Sequence, residues 1–190
     1  MSQMVEIRWH ARAGQGAVTA AKSLAESALH EGKYVQAAPE YGPERAGAPL
    51  RAFNRISDRP IRLHSAVTSP QVVVVMDPTL IGIVDVTEGT PEDAAIIVNT
   101  PDTPAEMRKK MGIRGRKIFT VDATKIALET LGRPIPNTPM MAALIRATGL
   151  LKVENLLQQV EKTLGKKFVA KVVEGNLQAV KRAYEEVKGE

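Results

Sequence analysis

Four consecutive valines, Val72-Val73-Val74-Val75, narrow the possible folds more than any other stretch of the sequence. An unbroken β-branched run has no polar face to offer water, so the strand it forms must be covered on both sides. That is the position of a central strand in a parallel sheet. Asp77-Pro78 stops the run. Two further strands are expected at similar spacing, Ala95–Val98 and Lys117–Val121, with a basic helix around Ala105–Met111 between them. Upstream, Val5, Ile7 and Trp9 alternate with Glu6, Arg8 and His10, and this strand runs into Gly14-Gln15-Gly16. An alanine-rich helix follows, with Ala17, Ala20, Ala21, Leu24, Ala25, Ala28 and Leu29 on one face and Gly32 at its end. Tyr34–Ala38 is the next strand and completes a βαβ-like unit. Strands alternating with helices imply an α/β fold: a three-layer, Rossmann-like open sheet, mostly parallel, with right-handed crossovers.

The remaining elements fill in that frame. Leu50–Ser57 is a strand with a charged face (Arg51, Arg55) and a mixed one, and Ile61-Arg62-Leu63 is expected to pair with it around Asp58-Arg59-Pro60. Asp122-Ala123-Thr124 starts a helix that runs through Leu131 and closes at Gly132. Thr138 is placed to cap the next helix with Pro139 at its first position. Met140–Thr148 is apolar on most faces and therefore expected to be buried. From about Val153 the pattern is helical only: Val153–Leu164, then a stripe of Val169, Val172, Val173, Leu177, Val180, Tyr184 and Val187. This C-terminal helical pair covers either the sheet edge or a partner. Residues 1–190 are read as one domain with a helical extension from about 153.

Composition excludes several chemistries. The chain has no cysteine, so it carries no disulfide, no thiol nucleophile and no cysteine-ligated iron–sulfur cluster or zinc. His10, His30 and His64 show no metal-site spacing. A net charge of +5 invites a nucleic-acid reading, but only 4% of residues are aromatic and the basic residues are scattered, which speaks against stacking on bases. No apolar run is long enough to span a membrane, and charges interrupt residues 1–15, so a cytoplasmic setting is expected.

The chemistry that remains is binding. Gly14 and Gly16 permit positive φ and a close backbone approach, and the helix behind them offers unpaired N–H groups to an anion, with the Arg12 charge beside it. Asp77 ends the valine strand, where ligands bind in open α/β sheets, and is equally a turn residue before proline. His10 sits at the end of the first strand as a polar rim residue, and Trp9 packs in the core or an interface. The turn-rich stretch Pro39–Pro49 holds Glu40, Tyr41, Gly42, Glu44, Arg45 and Gly47, with Arg45 available to neutralise a glutamate. No serine, threonine or paired-carboxylate arrangement forms a catalytic centre.

Two long motifs then carry a resemblance that covers essentially the whole chain. Arg8-Trp9-His10-Ala11-Arg12-Ala13-Gly14-Gln15-Gly16 and Tyr34-Val35-Gln36-Ala37 followed by Pro39–Pro49 resemble the gamma subunits of pyruvate:ferredoxin oxidoreductases. Arg51–Ile56 and Ile135–Met140 extend the match. The resemblance implies a complex of alpha, beta, gamma and delta chains that oxidatively decarboxylates a 2-oxoacid to an acyl-CoA and reduces ferredoxin through other subunits. It implies thiamine diphosphate on alpha and beta, iron–sulfur clusters on beta and delta, and no cofactor on this chain alone. Ala11, Ala13 and Ala46 depart from what relatives often carry there, which bears on the substrate more than on the family. Joined to the residue-level reading, it makes Arg12, Gly14, Gln15 and Gly16 candidates for receiving coenzyme A phosphates. Glu40, Tyr41, Gly42, Glu44, Arg45, Gly47, Asn137 and Thr138 become candidates for an active-site wall or a subunit contact. A free-standing α/β nucleotide- or coenzyme-binding module is the alternative.

Overall fold

The computed structural model describes residues 4–40 and 47–190. Its centre is a seven-stranded sheet, in the order β2-β3-β1-β4-β5-β6-β7. The strands are β1 (Val5–Arg12), β2 (Tyr34–Glu40), β3 (Pro49–Ser57), β4 (Val72–Val75), β5 (Ala95–Asn99), β6 (Lys117–Val121) and β7 (Lys188–Gly189). The valine strand β4 is wholly buried and pairs in parallel with β1 on one side and β5 on the other, as its composition demands. β5 and β6 continue the parallel set. Only β3 and β7 run against the other five strands, because β3 pairs antiparallel with both β1 and β2, and β7 antiparallel with β6.

The helices are α1 (Ala17–Leu29), α2 (Pro104–Met111), α3 (Ala123–Leu131), α4 (Asn137–Thr148), α5 (Val153–Gly165) and α6 (Ala170–Glu186). α1 leaves β1 on one face of the sheet and leads to β2. The segment between β4 and β5 crosses the opposite face, where Val86 packs with Val73 and Val75, and α2 joins it there through Met107. The five other helices build the larger core on the first face, around Ile7, Trp9, Ala11, Val72 and Val74. α4 runs through the middle of this layer, and Thr138–Ile145 are buried in an unbroken row, which explains its apolar character on every side. α6 runs alongside α4 in the same direction. Thr138 Oγ1 donates to Asn176 Oδ1 (3.0 Å) near their starts, and the Arg146 guanidinium lies 5.4 Å from the centre of the Tyr184 ring further along.

Local signals account for most boundaries. α2 has a reciprocal capping box between Thr103 and Glu106, with Pro104 at the first position and Gly112 in the left-handed conformation at the end. α3 starts on the Asp122 side chain and stops at Gly132, as the sequence suggested.

Four expectations need correction. Ile61-Arg62-Leu63 is not a strand, because β3 is already hydrogen-bonded on both sides, to β1 and β2. The βαβ-like unit is real only in direction, since β3 lies between β1 and β2. Thr138 does not cap α4: the helix begins at Asn137, whose Oδ1 accepts from the Thr138 N–H at 2.9 Å. The apolar stripe of α6 is buried only in part, with Val169 and Val172 at its exposed end, and Leu29 of α1 also faces outward. The helical pair packs on α1, α3 and α4, and the sheet edge beside β6 is taken by β7.

Candidate functional site

The crossovers on either side of β1 and β4 leave in opposite directions, so the carboxyl ends of these two strands form the crevice where open α/β sheets bind ligands. The first glycine motif and the residues after the valine strand meet there. Arg12 is the centre of the arrangement. Its guanidinium donates to the Gly47 carbonyl (2.7 Å) and to Thr79 Oγ1 (3.1 Å), and its Nε lies 3.3 Å from Asp77 Oδ2. Gln15 closes the knot from below. Its Oε1 accepts the Arg12 backbone N–H at 2.7 Å, and its Nε2 donates to Asp77 Oδ2 at 2.8 Å. Asp77 is a turn residue, capping the 3₁₀ turn Pro78–Leu80 by accepting from the Thr79 N–H and hydroxyl, and it lies at the carboxyl end of β4 in the crevice. Burial pushes the Asp77 carboxyl up, but the two Thr79 bonds, the Gln15 amide and the Arg12 charge outweigh it and hold the group below its ordinary value.

Beside this knot α1 begins. Gly14 (φ +94°) and Gly16 (φ +84°) are both left-handed, and no side chain caps the helix, so its first N–H groups face the crevice without an internal acceptor from a cap. Gly16 is also required sterically, because a Cβ there would stand 2.9 Å from Asn137 Nδ2. Gly16→Ala is expected to destabilise the chain by about 1–2 kcal/mol from the left-handed backbone alone, more if Asn137 cannot yield. Urea unfolding of the purified variant against wild type measures it. Asn137 is thereby placed in the site, whereas Thr138 is buried behind it with its hydroxyl turned to Asn176.

The second motif is less completely seen. Tyr41, Gly42, Glu44 and Arg45 lie outside the described residues. On its near side, Glu40 is paired with Arg51 of β3, through Nη2 at 3.0 Å and Nε at 2.9 Å. On its far side, Gly47 is the residue Arg12 holds. Arg51 and Glu40 line an open cleft of about 340 Å³ with His10, Pro49, Val84, Asp85 and Glu88.

His10 is not a rim residue. It is 2% exposed, and its Nε2 accepts from Arg8 Nε at 3.0 Å. Burial, with the Arg8 and Arg51 charges behind it, pushes its pKa down to about 3, so it stays neutral and offers no proton near neutrality. Arg8 is buried too and donates to the carbonyls of Val86 (3.1 Å) and Glu88 (2.7 Å), which fastens the β4–β5 segment over the sheet. Trp9 is in the core, with Nε1 donating to Asn54 Oδ1 at 2.8 Å. Among the described residues no group of three or more His, Cys, Asp or Glu is placed to hold a metal ion, and no helix is long and apolar enough to cross a membrane.

Residues 6–186 match the protein family described as Pyruvate ferredoxin/flavodoxin oxidoreductase. The chain belongs to that family. It is 55% identical over 183 residues to a pyruvate synthase subunit PorC of Thermotoga maritima, covering 96% of this chain and 94% of the relative. It is 49% identical over 185 residues to a pyruvate/ketoisovalerate oxidoreductases common subunit gamma of Pyrococcus abyssi, covering 97% and 98%. The crystal structure of a pyruvate oxidoreductase subunit PORC of Thermotoga maritima superposes with a TM-score of 0.86 at 50% identity over 98% of each chain. Family membership over nearly the whole length makes this chain a subunit of a 2-oxoacid:ferredoxin oxidoreductase.

Proposed function

We propose that this chain is the non-catalytic gamma-type subunit of a pyruvate-type 2-oxoacid:ferredoxin oxidoreductase and forms one wall of the coenzyme A region. The single observation that carries the reading is the Arg12 knot. One side chain ties the end of β1, the start of the segment after β4 and the far end of the second motif into a rigid rim beside an uncapped helix start. Asp77 offsets much of the Arg12 charge, so Arg12 acts chiefly as a brace, and the backbone N–H groups at the start of α1 receive the phosphate. Gly14, Gln15 and Gly16 shape that pocket, and Glu40, Tyr41, Gly42, Glu44, Arg45, Gly47, Asn137 and Thr138 belong to the wall or to what supports it. Among the described residues, His10 is buried and neutral and Asp77 is held by Arg12, Gln15 and Thr79, so neither is suited to act as acid or base in the reaction.

The partner chains carry out the reaction: oxidative decarboxylation of the 2-oxoacid to acyl-CoA and CO2, with reduction of ferredoxin. Thiamine diphosphate is placed on alpha and beta chains and iron–sulfur clusters on beta and delta chains, in keeping with the absence of cysteine here. A cytoplasmic setting and one domain over residues 1–190 are part of the same proposal. In the intact complex, Arg12→Ala is expected to raise the coenzyme A KM about tenfold while kcat stays within about twofold. An unchanged KM in a normally assembled complex removes the coenzyme role and leaves the rim as a packing surface.

A further inference from the structure

The hairpin between α5 and α6 stands clear of the core. Gly165 to Val172 are eight consecutive exposed residues, and they include Phe168 (53% exposed), Val169 (70%) and Val172 (38%). Three large apolar side chains grouped on a projecting turn are unlike the singly scattered ones expected on a monomer surface. The sequence that flanks them carries one sign of charge. Residues 162–173 contain Lys162, Lys166, Lys167 and Lys171 and no aspartate or glutamate, and the nearest carboxylates on the same helices, Glu161 and Glu174, lie just outside that stretch.

The tip also lies at the functional end of the molecule. Asn137 abuts Gly16 at the start of α1, Thr138 beside it bonds to Asn176, and the Asn176 amide donates to the Val172 carbonyl at 2.8 Å. Side chains and one backbone bond thus connect the glycine turn to the hairpin without a gap. The tip and the glycine turn therefore lie toward the same end of α4 and α6.

We propose that this hairpin tip is a docking knob for a sister subunit of the oxidoreductase, inserting Phe168, Val169 and Val172 into an apolar groove edged with carboxylates. A second copy of this chain is a poor occupant, since a two-fold contact sets the same lysines against each other. Eight residues are also well short of the roughly 20–30 per side of a stable interface. The knob is therefore one anchor within a larger contact, consistent with a chain whose relatives are subunits. The inference rests on the rim being turned toward another subunit, and its test separates the two.

Amide hydrogen exchange of the wild-type chain is compared alone and in the purified complex, following residues 164–173 and, separately, residues 12–19. Exchange of the tip is expected to slow at least tenfold in the complex. Slowing at 12–19 with an unchanged tip overturns the knob and spares the rim, and no change at either overturns both. In parallel, Phe168→Ser/Val169→Ser and Lys166→Glu/Lys167→Glu/Lys171→Glu chains are co-expressed with the sister subunits. Each is expected to keep the circular dichroism and thermal midpoint of wild type yet to enter the complex at least tenfold less. Full incorporation of both variants overturns the proposal. So does self-association, or adsorption to vesicles of anionic phosphatidylglycerol, that is lost in the same variants while incorporation stays normal.

Discussion

Trp9→Ala is expected to lower the unfolding free energy by about 3–5 kcal/mol, the usual range for emptying a large aromatic site in a packed core. Trp9 is fully buried in the larger core, on the same face of β1 as Ile7 and Ala11 and in one cluster with side chains of α1 and α4. The loss has a polar part as well. Trp9 Nε1 donates to Asn54 Oδ1, and Asn54 Nδ2 donates to the Ala21 carbonyl at 2.8 Å, so two side chains link β1 through β3 to α1. Trp9→Phe keeps most of the volume but leaves Asn54 Oδ1 without its donor, which is expected to cost about 1–3 kcal/mol. Denaturant unfolding of the two variants separates packing from hydrogen bonding: equal losses would mean that the indole N–H carries the whole effect, and a neutral Trp9→Phe that it carries none.

The second large effect depends on pH. His10 titrates near 6.5 when unfolded but only at about 3 in the folded chain. The unfolded state therefore binds more protons throughout that interval, so stability falls as pH drops below 6.5, by up to about 1.4 kcal/mol per unit. Between pH 6.5 and 4.5 the histidine's share of the loss is about 2 kcal/mol. Depressed carboxylates such as Asp77, Glu106 and Glu129 add their own acid loss, which sets in as their unfolded counterparts take up protons near the ordinary carboxylate values and is complete only below the lowered folded ones. The window above about pH 5.5 thus isolates the histidine. His10→Gln preserves an acceptor for Arg8 Nε and removes the titration, and its stability is expected to be flat from about pH 6.5 to 5.5. Urea midpoints across that range check it, and a variant that keeps the wild-type slope would show the proton to be taken up elsewhere.

The parts of the fold that were legible are those dictated by short-range physics. The valine run has one sensible position, and Asp122 and Gly132 mark the ends of a helix by chemistry local to them. What stayed hidden depends on segments far apart in the chain. Arg8 and His10 alternate with apolar residues as a solvent face does, and only the segment carrying Val86 and Glu88, some 80 residues later, covers them. Asn54 did leave a trace, a polar residue in the same row as Ala52 and Ile56, whose burial required a donor and an acceptor nearby. The two arms of the candidate site were visible as motifs, but Arg12 gave no sign of Asp77, Thr79 and Gly47 as its partners, since a guanidinium can pair with almost anything. Helix stripes likewise showed which residues are apolar and not which of them stay uncovered, as Val169 and Val172 do.

The insertion of β3 between β1 and β2 has a consequence for how the molecule comes into being. A chain emerging from the ribosome delivers β1, α1 and β2 first, and these two strands have no hydrogen bonds to exchange with each other. The slot between them is filled only when β3, ending at Ser57, arrives to pair Val5 with Ile56 on one side and Tyr34 with Ser57 on the other. Nascent fragments stopping short of that point carry bare strand edges and are the ones expected to need a chaperone.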